Sequence, residues 1–306
     1  MALLSRIRAR LRSPVETTGG ESGSGRTTAI APDAGLVAGA ALADSLRRME
    51  GLPAECFDAL WAEVFGAPDA LELIIGQGDY LRTHKRRFRE LFNAFLALTP
   101  TAPRVLEFGT SEASRLYRRL KPETRLVTAD RPVADDYIGF TPDKSRELAS
   151  AAAHVAVDLE RDDLAQADAL REEGPFDFIV FTEVLEHLVA PPRPLLAGLL
   201  SHLAPGGRLY LTTPNFLCRR NRAILDAGRN PQPYYPGSDA NWDRHHHHRE
   251  YTMAELQDLL HDAGGTVEAA YYSGCWDPSD DTELQAWPEL RGNLVLVAVR
   301  DGDARP

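Results

Sequence analysis

Arg104-Val105-Leu106-Glu107-Phe108-Gly109-Thr110-Ser111-Glu112-Ala113 is the stretch on which the reading of the fold turns. Its first five residues are rich in branched and aromatic side chains and form a short strand. Small residues follow, and apolar positions then resume at helical spacing through Leu120. A strand that passes through a tight small-residue turn into a helix is the opening unit of an open α/β sheet. The crevice beyond the carboxyl end of that strand is where such sheets take nucleotide-like ligands, because small residues let the ligand approach the backbone. The next β-rich run, 125–130, ends in Asp130, about twenty residues beyond Glu107, the distance at which an acid reaches ribose hydroxyls. A tight turn with a solvated aspartate would leave the same signature, so these residues alone keep both readings open.

Outward from this stretch the rhythm continues. Short β-rich runs at 153–158, 176–181, 208–213, 266–272 and 293–299 alternate with helical segments, which predicts a parallel sheet covered by helices on both faces. Toward the N-terminus, 38–98 reads as helical, and Phe88, Leu91, Phe92 and Phe95 make an apolar stripe with Lys85, Arg86, Arg87 and Arg89 mostly off it. Residues 13–34, rich in Gly, Ser, Thr and Pro, read as a flexible linker. Before them Leu3, Ile7 and Leu11 fall four apart among Arg6, Arg8, Arg10 and Arg12. That pattern suits either a disordered leader or a short membrane-surface helix. The expected layout is a disordered leader and linker over 1–37, a helical elaboration over 38–100, and an α/β domain over 101–306 with a lid-like insertion at 216–250.

The chain has 306 residues, 43% of them hydrophobic, enough for a substantial core, and a formal net charge of −11. An acidic balance argues against broad contact with nucleic-acid phosphates, which depends on clustered Lys and Arg. The longest apolar stretch, Gly35 to Ala43, falls far short of the roughly 20 residues that span a bilayer. Cys56, Cys218 and Cys275 are too scattered for a disulfide framework and fit a cytoplasmic protein.

Three further runs carry a family likeness. Phe176-Asp177-Phe178-Ile179-Val180-Phe181 continues into Thr182-Glu183-Val184-Leu185-Glu186-His187-Leu188; Leu203-Ala204-Pro205-Gly206-Gly207-Arg208-Leu209 and Thr212-Thr213-Pro214-Asn215 follow. In this order, with the opening strand and Asp130, they resemble class I S-adenosylmethionine-dependent methyltransferases over roughly 80–300. Within that class the chain is similar to the ubiquinone-biosynthesis-type small-molecule O-methyltransferases. The resemblance implies a Rossmann-like, seven-stranded, mostly parallel sheet whose last strand, around Asn293 to Arg300, runs antiparallel. It also implies S-adenosylmethionine as cofactor. Glu107, Gly109, Thr110 and Ser111 would form its loop, Asp130 would hold its ribose, Asp158 would face its adenine, and Thr182 and Glu183 would lie beside its sulfonium. The chain departs from the family where Ser111 and Ala113 replace glycines, substitutions that would be strained wherever the backbone needs a positive φ.

Methyl transfer to a hydroxyl needs a proton acceptor, and His187, with Glu183, is the candidate, since an imidazole takes up a proton near neutrality. A histidine that merely packs against the next helix would look the same. Arg244-His245-His246-His247-His248-Arg249-Glu250-Tyr251-Thr252 precedes a segment that Thr252 and Glu255 mark as a capped helix. Similar histidine-rich stretches close over the site in related methyltransferases. Glu183, Glu186, His187 and His247 also resemble, in order, the metal-binding set of the small-RNA 3′-terminal 2′-O-methyltransferases, although Glu-x-x-Glu-His runs occur in methyltransferases without a metal. Arg219, Arg220, Arg222, Tyr234, Tyr235 and Trp242 of the insertion, with Tyr80 and His84, are placed to shape an acceptor pocket. The expected function is methyl transfer to an oxygen of a small-molecule or sugar-like metabolite, without nucleic acid, membrane span or obligatory divalent metal. The alternatives are a metal-assisted RNA methyltransferase and a non-catalytic protein that retains the fold.

Overall fold

The computed structural model describes residues 35–66, 78–110, 112–131, 151–232, 247–278 and 280–302. Residues 1–34 of the expected leader and linker, Ser111, and the Tyr234, Tyr235 and Trp242 part of the insertion lie outside the described residues, as does the side chain of Tyr80, while the last three residues of the expected linker already belong to a helix. Three helices come first: α1 (Gly35–Arg48), α2 (Ala54–Phe65) and α3 (Gly78–Leu98). The α/β rhythm then begins with β1 (Arg104–Phe108), a 3-10 turn over Glu112–Arg115, α4 (Leu116–Leu120), β2 (Arg125–Asp130) and β3 (Ala153–Ala156). Next come α5 (Asp168–Glu173), β4 (Phe176–Thr182), a 3-10 turn over Leu185–His187, α6 (Pro192–Ser201) and β5 (Leu203–Pro214). The chain closes with α7 (Arg219–Asp226), α8 (Met253–Asp262), β6 (Gly265–Ser273), α9 (Thr282–Ala286) and β7 (Asn293–Arg300).

The strands form one sheet in the order β3-β2-β1-β4-β5-β7-β6. The pairs among β1 to β5 are parallel, and β7 is antiparallel to both β5 and β6, the Rossmann-like arrangement that the resemblance implies. The order reverses beside β1, so the carboxyl ends of β1, β4 and β2 frame a crevice. Two strand boundaries differ from the sequence reading by more than one residue. β3 stops at Ala156 because Asp158 begins a turn of its own, its Oδ1 accepting from Glu160 N at 3.0 Å. β5 starts at Leu203 rather than 208 and pairs across a register shift with β4. Gly207 allows this approach: a Cβ there would stand 2.6 Å from the Phe176 carbonyl oxygen.

Alternation along β4 builds two cores at once, because successive side chains of a strand point to opposite faces. Phe178 and Val180 pack with Phe57, Trp61, Phe88, Phe92 and Phe95 of the N-terminal helices. Ile179 and Phe181 pack with Leu196 and Leu199 of α6 and Leu256 and Leu260 of α8. Helices thus cover both faces. One residue of α3 departs from the sequence reading: Arg87 is buried. It precedes Leu91 and Phe95 by one and two four-residue steps, so it shares their face of the helix.

Candidate active site

The crevice starts at the end of β1. Glu107 points inward and accepts hydrogen bonds from Ser114 Oγ and, at 3.3 Å, from Tyr117 Oη. Burial pushes its carboxyl up to about 7 against those two bonds. It anchors the turn from beneath. Gly109 follows with φ +71°, and since a Cβ there would meet Val184 Cγ2 at an ordinary 3.4 Å, it is the left-handed backbone that calls for glycine. Ala113 sits in the right-handed 3-10 turn and is absent from the positive-φ residues, so replacing a family glycine there costs no backbone strain. Thr110 Oγ1 is buried and has no hydrogen-bond partner among the described residues. Such an orphaned hydroxyl in a small-residue turn fits a polar ligand that brings its own donors and acceptors.

Asp130 ends β2 beside this turn, its Oδ1 accepting from Arg131 N at 2.8 Å. Burial raises its carboxyl above the usual carboxylate range, which ligand hydroxyls would counter. Asp158 is held in its turn, taking Glu160 N and lying 3.7 Å from Arg161 Nε. Glu160 of the same turn accepts from Val189 N at 2.6 Å and Ala190 N at 2.7 Å, tying this turn to the segment after His187.

The second half of the site lies beyond β4 and β5. Thr182 is the last residue of β4, and Glu183 enters the left-handed region with φ 54°. Its Oε1 accepts from Thr212 Oγ1 at 2.6 Å and Asn293 Nδ2 at 3.0 Å, with Arg87 Nη1 at 3.8 Å. Arg87 and Glu183 side chains are only 6% and 12% exposed. Glu186 is buried and accepts from Thr213 Oγ1 at 2.9 Å. Burial and then the neighbouring Glu183 push its carboxyl well above the usual range. The Glu186 backbone carbonyl takes His248 N at 2.7 Å and Arg249 N at 3.2 Å, which brings the histidine-rich segment to the 3-10 turn. There His247 and His187 pack edge to face, ring centroids 4.9 Å apart. His247 Nδ1 meets Glu250 Oε1 at 2.9 Å. Burial works to raise the Glu250 carboxyl, but the bonds to His247 and Asn221 outweigh it and hold it low.

Among the described residues Glu186, His187 and His247 place ligand atoms within 4.8 Å of one another. Glu183, the fourth member of the sequence-derived set, is not in that group and turns toward Thr212, Asn293 and Arg87. These residues border a cavity of about 570 Å³, whose other walls include His84, Arg219, Arg220, Trp276 and Asp277. The size suits a small molecule. The capping box is present as read: Thr252 Oγ1 accepts from Glu255 N, and Glu255 accepts from Thr252 N.

Sequence reasoning missed Arg87, Asn293, Glu250 and the backbone of Glu183. Thr212 and Thr213 stood in a quoted run, yet their partners come from a different loop. Nothing in the spacing of Asn293 marks it as reaching across the sheet.

A family model described as a methyltransferase domain matches residues 80–270, more than half of the chain. No curated protein matches its sequence. Solved structures with a similar fold include the methyltransferase in complex with the Haloferax volcanii Trm112 methyltransferase activator, 18% identical over 80% of this chain and 97% of that chain with a TM-score of 0.45. The N-methyltransferase NodS from Bradyrhizobium japonicum WM9 is 19% identical over 73% of this chain and 99% of that chain, TM-score 0.43. An O-methyltransferase family protein from Burkholderia thailandensis is 16% identical over 80% of this chain and 63% of that chain, TM-score 0.46. Among the described residues no helix is long and apolar enough to cross a membrane. The matched residues include the β1 turn and the acids and histidines at 183–187 and 247–250, and the chain belongs to the class I S-adenosylmethionine-dependent methyltransferases.

Proposed function

We propose that the protein transfers a methyl group to an oxygen of a small-molecule acceptor held in the cavity between Glu183, His187 and His247. When bound, S-adenosylmethionine supplies a methyl already activated on a sulfonium. Gly109, Thr110, Asp130 and Thr182 would hold it, with Ser111 and Asp158 completing the set implied by the family, and Glu107 would keep the turn in place from below. The observation that carries the reading is His187 at the wall of the cavity, edge-on to a histidine that Glu250 orients. His187 takes the proton of the acceptor hydroxyl, which a hydroxyl must lose before it attacks well. Glu183, held by Thr212 and Asn293, positions the acceptor, and the cavity walls exclude water.

A second reading rests on the gathered ligand atoms of Glu186, His187 and His247, a carboxylate and two imidazoles suited to a divalent ion that would lower the pKa of a bound hydroxyl. One assay addresses both. Methyl-labelled S-adenosylmethionine is incubated with a panel of hydroxylated and aminated small molecules, with and without a chelator. Label is expected on hydroxyl compounds, unaffected by the chelator, and His187→Gln should lower the rate about 10²–10⁴-fold without loosening S-adenosylmethionine. Label on amines alone would defeat the oxygen reading. Activity lost to the chelator and restored by Mg²⁺ or Mn²⁺ would give His187 to the ion instead.

A further inference from the structure

The acceptor cavity shares two of its walls, Trp276 and Asp277, with a second cavity of about 510 Å³. The other charged residues lining that second space are Arg86 and Arg89 of α3. Arg86 and Asp277 in turn border a smaller cavity with Arg47 and Arg291. Four guanidinium groups therefore gather along one groove, in a chain whose net charge is −11.

Their mutual effect is physical. Burial first, and then the like charges of Arg47 and Arg86, lower the Arg291 guanidinium. Burial also lowers Arg89, the Asp58 carboxylate working against it and the Arg86 charge adding to it. Their partners are mostly neutral: Arg89 Nε donates to Leu52 O at 2.8 Å, and Arg291 donates to Leu284 O and Tyr272 O, both at 3.1 Å. Arg47 alone has a carboxylate, Asp44 at 3.0 Å. Arg86 is exposed, with no hydrogen bond or ion pair among the described residues.

The acids of the groove are otherwise engaged. Asp277 Oδ2 accepts from Gly292 N at 3.0 Å, and Asp281 is paired with Arg219 at 2.7 Å. Glu90 is buried against Ser273 Oγ at 2.6 Å, and burial pushes its carboxyl up to about 7. None of them forms an ion pair with Arg86, Arg89 or Arg291. Between the two larger cavities stands Trp276, edge-on to His84 at 5.9 Å, an apolar surface for the middle of an elongated ligand.

We propose that this groove is an oxyanion subsite of the acceptor: the reacting hydroxyl lies beside His187, and a phosphate or carboxylate on the same molecule reaches past Trp276 to Arg86 and Arg89. This deepens the proposed function and rests on its placement of the acceptor. A paired guanidinium groove recognises planar or tetrahedral oxyanions by charge-assisted hydrogen bonds.

The test is calorimetric titration of the full chain with inorganic phosphate and, separately, with acetate, at constant ionic strength set by chloride. Wild type, Arg86→Glu and Arg86→Lys are compared, Arg86 being the residue whose change disturbs no internal partner. Saturable binding is expected, weakened roughly tenfold or more by Arg86→Glu and less by Arg86→Lys, which keeps the charge but loses the planar fork. Tighter phosphate assigns a phosphorylated acceptor, and tighter acetate a carboxylated one. No saturable binding of either anion, or binding that Arg86→Glu leaves unchanged, overturns the subsite. S-adenosylmethionine is titrated in parallel: if the wild-type protein fails to bind it, the underlying methyl-transfer reading fails, whereas normal S-adenosylmethionine binding with no anion binding removes the subsite alone.

Discussion

Glu183 occupies a backbone conformation with φ 54° that costs a residue with a Cβ about 1–2 kcal/mol. The neighbours that hold it there, Thr212, Asn293 and Arg87, all meet the same carboxylate oxygen. The strain therefore turns a charged group into the cavity at the end of β4, the kind of place where local strain is retained. Asp130, proposed for the cofactor side, is tested at the same scale. Asp130→Ala should weaken S-adenosylmethionine binding about 10–100-fold, the loss of charge-assisted hydrogen bonds to ribose, read by calorimetric titration. Unchanged affinity would remove Asp130 from the site.

Two elements tie their own packing to residues that border the cavity. Helix α3 packs Phe88, Leu91, Phe92 and Phe95 into the core, yet also sends Arg87 and Glu90 inward, the first toward Glu183 and the second toward Ser273. Its register thus sets where Arg87 meets Glu183 at the wall of the cavity. Helix α8 begins where the histidine-rich segment ends, and its capping box fixes that junction. Thr252→Ala removes one half of the box and should cost about 1 kcal/mol in urea unfolding. Loss of the cap would also loosen the His247–Arg249 stretch that the Glu186 carbonyl holds. A stability unchanged within error would show that the segment, rather than the cap, sets the start of the helix.

At the scale of the molecule, the buried acids Glu90 and Glu107 set a pH dependence. Burial raises both carboxyls from the ordinary glutamate value of about 4.5 to about 7. The native state therefore binds more protons than the unfolded chain between these values, and stability falls as pH rises through that window, by up to about 1.4 kcal/mol per pH unit for each group. Unfolding measured from pH 4.5 to 7 should show this decline, and Glu90→Gln or Glu107→Gln, which keep the acceptor for Ser273 or for Ser114 and Tyr117, should flatten it. A slope that neither variant changes would mean that other groups hold the protons.

Local periodicity by itself determined the seven strands, the helices on both faces, the capped start of α8 and the turn at Gly109, because each depends on residues near one another in the chain. The ordered runs from Phe176 to Asn215 likewise pointed to the family that the domain match shows. The tertiary structure alone decided that Glu107 faces inward, that Arg87 is buried beside Glu183, and that the gathered ligand atoms are those of Glu186, His187 and His247, with Glu183 turned to Thr212 and Asn293. It also decided that Trp276 and Asp277 wall both the cavity beside His187 and the space lined by Arg86 and Arg89. Each of these is a meeting of groups from separate elements, and the sheet order that brings β1, β4, β5 and β7 together is what sets their distances.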